Sequence, residues 1–522
     1  MAKTKEIRLG QGKKPVALPL TQLISPGLLA GGSEKERSAV MKMLAESISR
    51  AGVPVFVADT TGTASSLAEP GELTDTLRRR LQKSGLSETD FQPEAVPVHF
   101  FDVDGLKGMP VRAGITDFGP TLSAELLEAT PAQQEALNVL FAAADQNGLE
   151  IIDFKDLLAV LAWAQENRTQ ISQRYGTLSA QSLNALERRL KELKEQGTNV
   201  LFGEPALDIR DWLEKDKAGL GYVNILAAEK LVQHPARYAS LMLWLLAELY
   251  ENLPENSART ARLVFFFPEA QLLFKKTSQA QIAIILKLVQ GLESRGIGVF
   301  FLTASPAAIP AEVLSITRTR LLLALPADTA VSQKELKACA RLFPDARQAE
   351  KMLAQLRPDT ALAALASVKD KEPLVDVVQL APAQTGSRAL SRQKIQERVK
   401  ADPLYKKYAV VHDSRSAYEV LQEKGKKASQ AEKKKPAAPK QSSSASSKKT
   451  AIHKARPGTK SASPKKREWN LEEAGRAAAR TLGKEVGRSI SRGLLGNRNG
   501  RQEKNTGKLV SEVLNSFFRQ EG

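Results

Sequence analysis

Residues 27–38 are Gly27-Leu28-Leu29-Ala30-Gly31-Gly32-Ser33-Glu34-Lys35-Glu36-Arg37-Ser38. An apolar run, a glycine turn and a polar helix start follow one another here, as they do in a phosphate-binding loop of the pattern G-x-x-x-x-G-K-[ST]. Gly31 and Ser38 match the first and last positions of that pattern, but the second glycine is Glu36 and the lysine is Arg37. The stretch therefore predicts a nucleotide-binding type of α/β fold with an altered phosphate site.

The same residues also form the signature of a helix N-terminus. Ser33 and Glu36 have the spacing of a capping box, which predicts a helix over residues 34–51. Glu34 and Glu36 would place two carboxylates in a cradle built for a polyanion, and like charges repel strongly in a partly desolvated site. Arg37 keeps a positive charge but not the shape of lysine. We favour a helix capped by its own side chains over a surviving nucleotide site.

A second strand bears on the same chemistry. Leu263–Phe267 is a continuous apolar run followed by Pro268 and Glu269, where an active site of this type has an Asp for Mg²⁺ and a Glu that polarises water. Pro268 has no carboxylate, so Glu269 alone is a candidate catalytic base. If the site is functional, ATP and Mg²⁺ are its expected cofactors, and Ser38 is the candidate Mg²⁺ ligand. The residues expected to hold the nucleotide are then Gly31, Gly32, Arg37 and Ser38.

Apolar runs alternate with helical patterns through the first 385 residues, which indicates an α/β fold with a mostly parallel sheet. Residues 1–115 and 215–385 are predicted to form its core, 116–214 a helical insert, and 386–423 a C-terminal extension of the core. The predicted strands are 27–31, 53–59, 96–103, 223–226, 263–267, 299–303 and 320–325.

Most of the formal net charge of +18 belongs to the C-terminal tail, where residues 416–522 hold 25 Lys and Arg against 10 Asp and Glu. Residues 424–467 are rich in Lys, Ala, Ser and Pro and contain one acid, Glu432, which predicts a disordered linker. The linker either contacts nucleic acid or an anionic membrane without sequence preference, or serves as a solvated tether. Both interpretations remain open.

Amphipathic helices are predicted after the linker, in residues 468–522. Within 471–495, basic, small and apolar residues repeat every fourth position and form three adjacent stripes. Such stripes favour self-association or docking on a partner protein over contact with lipid. A second helical pattern covers residues 508–519.

The remaining composition narrows the class of protein. The chain of 522 residues has no apolar run long enough to span a bilayer, and its single cysteine, Cys339, rules out an intramolecular disulfide. Its four histidines are scattered, which predicts no metal site. The first residues lack an apolar signal region. These features predict a cytoplasmic protein.

The chain resembles the bacterial YjgR-type family, whose members carry a HerA/FtsK-like P-loop ATPase core. The resemblance covers about residues 9–496 and rests on many short stretches that agree in order and spacing. Examples are Leu44-Ala-Glu-Ser-Ile-Ser-Arg-Ala-Gly-Val-Pro-Val-Phe-Val-Ala-Asp59, Phe202-Gly-Glu-Pro205, Leu241-Met-Leu-Trp-Leu-Leu-Ala-Glu-Leu249 and Gly298-Val-Phe-Phe-Leu-Thr303. The resemblance implies a P-loop NTPase-like fold of the RecA/FtsK/HerA type and a helicase- or translocase-like ATPase.

The departures from that family fall on its chemistry. The family loop is Gly-Ala-Thr-Gly-Thr-Gly-Lys-Thr, and in this chain Glu36 replaces its last glycine and Arg37 replaces its lysine. The family's Asp-Glu-Ala-His motif has Pro268 in place of its Asp here. The Gln that senses the γ-phosphate is Ala304 in this chain, and a second Arg near the end of the core is Pro326. Arg320 matches an Arg that reaches a neighbour's nucleotide in ring ATPases.

Three functions of different kinds follow from these residues. The first, which we favour, is a pseudo-ATPase that keeps the fold as a non-hydrolysing scaffold or a regulatory and assembly protein. The second is an active ATP-dependent DNA-handling enzyme with an unorthodox loop. The third is a protein that associates with nucleic acid or membrane through its basic tail.

Overall fold

The computed structural model describes residues 6–275, 279–325, 330–366 and 373–433. Pro326 and almost all of the predicted linker and C-terminal helices lie outside these ranges.

Within the described residues the chain forms one mixed sheet of twelve strands. In chain order they are β1 (Glu6–Gln11), β2 (Pro15–Pro19), β3 (Gly27–Ala30), β4 (Val55–Asp59), β5 (Val98–Asp102), β6 (Met109–Pro110), β7 (Val223–Ala227), β8 (Leu263–Phe267), β9 (Ile297–Thr303), β10 (Thr319–Leu323), β11 (Thr360–Leu365) and β12 (Leu374–Leu380).

The described helices are α1 (Glu34–Arg50), α2 (Asp75–Lys83), α3 (Ile115–Leu126), α4 (Pro131–Gln146), α5 (Phe154–Glu166), α6 (Arg168–Tyr175), α7 (Ala180–Glu195), α8 (Pro235–Asn252), α9 (Gln279–Ser294), α10 (Ala311–Ser315), α11 (Ala330–Ala340), α12 (Ala346–Ala354), α13 (Arg392–Ala401), α14 (Tyr405–Ala409) and α15 (Ala417–Lys433).

The strand order is β2-β1-β12-β11-β10-β3-β9-β8-β4-β7-β5-β6. Every pairing from β10 to β6 is parallel, whereas β11, β12, β1 and β2 add antiparallel strands at one side. The prediction of an α/β fold with a mostly parallel sheet is confirmed. Each predicted strand is present, because buried parallel strands are continuous apolar runs that a sequence reveals directly.

The centre of the sheet is packed by aromatic rings. Phe56 of β4 stacks on Phe265 of β8 at 4.3 Å and on Trp212 at 4.5 Å, measured between ring centroids. All three side chains are fully buried. Rings of this size contribute a large part of the apolar area that stabilises the core.

Helices α3 to α7 lie between β6 and β7, in the range predicted to be a helical insert. They bury apolar side chains against one another, including Leu137, Leu161 and Leu186. None of the helices in the described ranges is long and apolar enough to cross a membrane.

One boundary differs from the sequence prediction. The disordered linker was expected to start at Lys424, but α15 continues to Lys433. Ala417 is fully buried, and Val420 and Leu421 pack against the core. Packing of this apolar stripe on the helical layer, together with the Ala, Glu and Lys content, extends the helix into the basic stretch.

Candidate nucleotide site

The candidate site lies at the carboxyl edge of the parallel strands. Strands β3, β9, β8 and β4 are consecutive and parallel, so the segments that follow them meet at one edge. In open α/β sheets ligands bind outside this edge. The structure therefore brings the glycine turn, Thr303 and Glu269 together, as a nucleotide site requires.

The glycine turn has a backbone that favours glycine and amides that are already engaged. Gly31 and Gly32 have φ of 79° and 62°, in the left-handed region. The Gly31 N–H donates to the Thr303 carbonyl at 3.2 Å, and the Gly32 N–H donates to the Ala324 carbonyl at 3.1 Å. These two amides bind the backbone of the neighbouring segments.

Helix α1 begins with the predicted capping box. The Ser33 hydroxyl accepts from the Glu36 N–H at 3.2 Å, and the Glu36 carboxylate accepts from the Ser33 N–H at 2.7 Å. The Ser33 hydroxyl also donates to the same carboxylate oxygen at 2.8 Å. The Glu36 carboxylate thus occupies the positive end of the helix, where a phosphate-binding loop receives its anion.

The Arg37 side chain folds back onto the glycine turn. Its guanidinium donates to the carbonyls of Gly31 at 3.2 Å and Gly32 at 2.8 Å. It also donates to the Glu269 carboxylate at 3.3 Å. Arg37 is only 6% exposed. Its charge is therefore directed into the protein and towards backbone oxygens.

Glu269 is held on both carboxylate oxygens. Arg37 binds one of them, and the Gln271 amide donates to the other at 2.6 Å. Glu269 has a φ of 51°, an unusual left-handed conformation for a residue with a side chain. Before it, the Pro268 carbonyl accepts from the Tyr238 hydroxyl at 2.5 Å. Burial, together with the Glu269 charge, raises the pKa of Tyr238 well above its usual value, so Tyr238 is a neutral donor.

A family model for the helicase HerA-like C-terminal region matches residues 4–504, nearly the whole chain. The chain belongs to the helicase HerA-like C-terminal family. The family resemblance drawn from the sequence is confirmed, and so is the fold class: a P-loop NTPase-like α/β fold. A search of curated protein sequences found no significant match.

Several solved structures share features with this HerA-like chain. VirB4 of Thermoanaerobacter pseudethanolicus has 15% identity and a TM-score of 0.44, over 73% of this chain and 97% of that one. The unbound bacterial conjugative coupling protein TrwBdeltaN70 has 14% identity and a TM-score of 0.47, over 75% and 92% of the two chains. TrwB bound to the ATP analogue ADPNP has 15% identity and a TM-score of 0.48, over the same shares. TrwB was also solved with ADP and Mg²⁺.

Ser38 of the HerA-like chain belongs to a cluster of hydroxyl groups. Its Oγ lies 2.8 Å from the Thr63 hydroxyl and 3.4 Å from the Thr61 hydroxyl. Thr61 donates in turn to the Asp59 carboxylate at 3.1 Å. In the part of the chain that the structure describes, no group of three or more His, Cys, Asp or Glu is placed to hold a metal ion.

Asp59 is a site residue that the sequence prediction missed. It ends β4, is buried, and accepts from the N–H groups of Thr61 and Ala64 at 3.2 and 2.8 Å. Burial raises its pKa, and the charge of Glu229 acts in the same direction. On α1, burial lowers the pKa of Lys42, whose ammonium donates to the Ser66 hydroxyl at 3.1 Å. The sequence signal that could have identified Asp59 is an acidic residue at the end of an apolar run that predicts a buried parallel strand.

Ala304 and Arg320, the two other positions singled out from the sequence, lie apart. Ala304 is exposed at the carboxyl edge, next to Thr303, whose hydroxyl donates to the Ser305 carbonyl at 3.1 Å. Arg320 pairs with Leu28 near the start of β10, away from the glycine turn.

The Arg320 guanidinium donates to the Thr317 hydroxyl at 3.0 Å, to the Leu314 carbonyl at 3.3 Å and to the Leu342 carbonyl. Burial lowers its pKa. The Arg320 guanidinium thus forms its hydrogen bonds within its own chain.

Proposed function

We propose that this HerA-like protein is a pseudo-ATPase, which keeps the P-loop NTPase-like fold as a non-hydrolysing scaffold or assembly protein. One observation carries the proposal. The Arg37 guanidinium, in the position of the phosphate-binding lysine, binds the carbonyls of its own turn and the Glu269 carboxylate. A charge engaged in this way is not directed at a β- or γ-phosphate.

The turn is also unsuited to hold a triphosphate. A phosphate cradle needs several free amides that converge on the anion. Here the Gly31 and Gly32 amides donate to backbone carbonyls, and the Glu36 carboxylate occupies the first turn of α1. TrwB binds ADPNP and ADP with Mg²⁺. The residues of this chain do not fit the same group.

The residues that would support hydrolysis are likewise engaged or replaced. Pro268 offers no carboxylate to Mg²⁺, and the Ser38 hydroxyl is bonded within the hydroxyl cluster. Glu269, the candidate base, already binds Arg37 and Gln271. A base held by a cation and an amide, with no metal ligand beside it, is poorly placed to activate water.

Calorimetric titration of Mg-ATP into the full-length protein tests binding, and phosphate release tests turnover. We expect no saturable heat up to about 1 mM ATP, which corresponds to a binding free energy weaker than about 4 kcal/mol. We also expect no phosphate release above the protein-free blank. The double variant Arg37→Ala, Glu269→Gln should behave in the same way, and Arg78→Ala, at an exposed ion pair, is the matched control.

Turnover that disappears in the double variant and persists in Arg78→Ala would refute the pseudo-ATPase. It would support the second function, an active DNA-handling ATPase that uses Arg37, Ser38 and Glu269. Saturable binding without turnover would indicate a nucleotide sensor. It would refute the interpretation that Arg37 and Glu36 block the phosphate position.

The scaffold has two proposed contact regions. We propose that residues 471–495 bind a second copy or a partner protein, and that residues 424–467 are the place of any contact with nucleic acid or anionic membrane. The proposed location is the cytoplasm. Comparing the full-length chain with a chain that ends at Lys433, for retention on DNA and on anionic vesicles at low salt, tests the second region. Equal retention of both chains would exclude residues 434–467 as the contact region.

A further inference from the structure

An apolar groove lies beside the candidate nucleotide site. It has a volume of about 400 Å³ and lies between the 3₁₀ helix Pro306–Ala308, α10 and α11. Its lining side chains are all apolar, among them Phe274, Ala308, Ala311, Leu314 and Ala338. A concave surface of this size, lined by apolar side chains, matches the space that a few bulky side chains fill.

The groove is hollow because its walls are made of small residues. Ala307, Ala308 and Ala311 are exposed, and each offers only a methyl group. The floor is formed by Ile309 and Leu314, which are 4% and 9% exposed. Methyl groups spaced along two short helical turns leave room for larger side chains that come from elsewhere.

The chain itself contains a segment with the complementary shape. Residues 508–519 are predicted to be helical and carry apolar residues at intervals of four: Leu509, Val513 and Phe517, and beside them Val510, Leu514 and Phe518. Beyond Lys433 the aromatic residues are Trp469, Phe517 and Phe518. The two adjacent phenylalanines supply the bulk that a groove walled by alanine lacks.

The other tail segments are poorer matches. Residues 471–495 carry one apolar stripe, formed by Ala478, Leu482, Val486, Ile490 and Leu494, beside a basic stripe and a stripe of small residues. The apolar stripe contains no aromatic ring, so it offers less bulk to the groove than Phe517 and Phe518 do. Residues 424–467 contain no aromatic residue and almost no bulky apolar one.

We propose that the groove is a docking site for residues 508–519 of the same chain, bound as an amphipathic helix with Phe517 and Phe518 as anchors. The connection from Lys433 to Leu509 does not limit this arrangement, since each residue spans up to about 3.4 Å when extended. A tethered segment also has an effective concentration of about 1 mM at its own groove, which favours it over a second copy.

Docking in this groove would place residues 508–519 next to the candidate nucleotide site. The groove starts at Pro306, three residues after β9 ends at Thr303, and Phe274 ends the 3₁₀ helix that begins after Glu269. This inference does not depend on whether the site binds nucleotide.

Hydrogen–deuterium exchange on the full-length protein tests the proposal. The double variant Phe517→Asp, Phe518→Asp should raise exchange about tenfold at amides of residues 307–316, because a docked helix no longer covers them. The matched control Ser511→Asp, Asn515→Asp changes the polar face of the same segment and should leave exchange there unchanged.

A groove variant supplies the reciprocal measurement. Ala308 is exposed, so Ala308→Trp fills the hollow without disturbing the core, and it should raise exchange about tenfold over residues 508–519. Unchanged exchange in both the phenylalanine and the groove variants would overturn the proposal. Protection of residues 307–316 that grows with protein concentration would assign the groove to a second copy and would also overturn it.

Discussion

The Arg37 guanidinium lies 3.3 Å from the Glu269 carboxylate, although 232 residues separate them in the chain. Arg37 follows β3 and Glu269 follows β8, and β9 lies between those two strands in the sheet. In an active P-loop enzyme these two positions face the nucleotide. In this chain the side chains at these two positions form an ion pair with each other.

Arg37→Ala should lower the free energy of unfolding by about 2 kcal/mol, because it removes charged hydrogen bonds to two carbonyls and leaves Glu269 without its cation. Urea denaturation measures the change. Arg78→Ala removes an arginine whose ion pairs are exposed and should cost less than about 0.5 kcal/mol. Equal losses in the two variants would contradict the buried role of Arg37.

Ser33→Ala should cost about 1 kcal/mol, because the Glu36 N–H loses its side-chain acceptor at the start of α1. Denaturation of the variant beside Lys35→Ala, an exposed neighbour in the same turn, measures the contribution of the cap alone. A loss as large in Lys35→Ala would mean that the turn, rather than the capping box, is responsible.

Arg320→Ala should destabilise the protein by about 2 kcal/mol, since its guanidinium binds the Leu314 carbonyl and the Thr317 hydroxyl. The matched control is Arg318→Ala, two residues away, whose side chain is 63% exposed. Thermal denaturation distinguishes them. If Arg320→Ala is as stable as Arg318→Ala, its guanidinium is free and a role at a neighbouring subunit gains support.

Glu46→Ala should release the segment that follows β12. The buried Glu46 carboxylate accepts from the Gln384 and Thr385 N–H groups at 2.9 and 3.0 Å and from the Thr385 hydroxyl at 2.9 Å. Leaving buried donors unpaired should cost about 3 kcal/mol and speed hydrogen exchange at 384–386. Glu94→Ala, at an exposed partner of the same Arg50, should change neither quantity.

The protein should become less stable as the pH rises from 5 to 9. Burial, with the charges of Glu251 and Asp117, raises the pKa of Glu248 to about 8, and burial raises that of Glu251 to about 7. Folding therefore favours the protonated acids, and this stability is lost as pH rises through the folded pKa values.

We expect the free energy of unfolding to fall by about 2 kcal/mol over that range. Glu248→Gln should reduce the fall, whereas Glu255→Gln, at an exposed position in the segment that follows α8, should preserve it. Urea titrations at the two pH values provide the measurement. A fall of equal size in all three proteins would show that Glu248 does not cause it.

Much of the sheet was predictable because buried parallel strands are unbroken apolar runs, as in Leu263–Phe267. Strand β11 (Thr360–Leu365) was missed because half of its residues are alanine, and β1 because polar residues interrupt it. These strands form through antiparallel pairing with β12, which is a tertiary interaction.

In the candidate site, too, local features were predictable from the sequence and tertiary contacts were not. The capping box of Ser33 and Glu36 involves residues three apart, so the sequence was sufficient to predict it. The hydroxyl cluster was not predicted, because Ser38 and Thr63 lie on different elements and meet only when α1 packs on the sheet.

The sequence by itself determined that the phosphate-binding pattern is altered at Glu36, Arg37 and Pro268, because those are identities of residues at known spacing. It also determined the start of α1, since capping is a local interaction. Only the tertiary structure decided where the Arg37 charge goes, because its partner Glu269 comes from a distant strand that the sheet brings alongside. The direction of a long charged side chain depends on which acceptors the fold places within its reach.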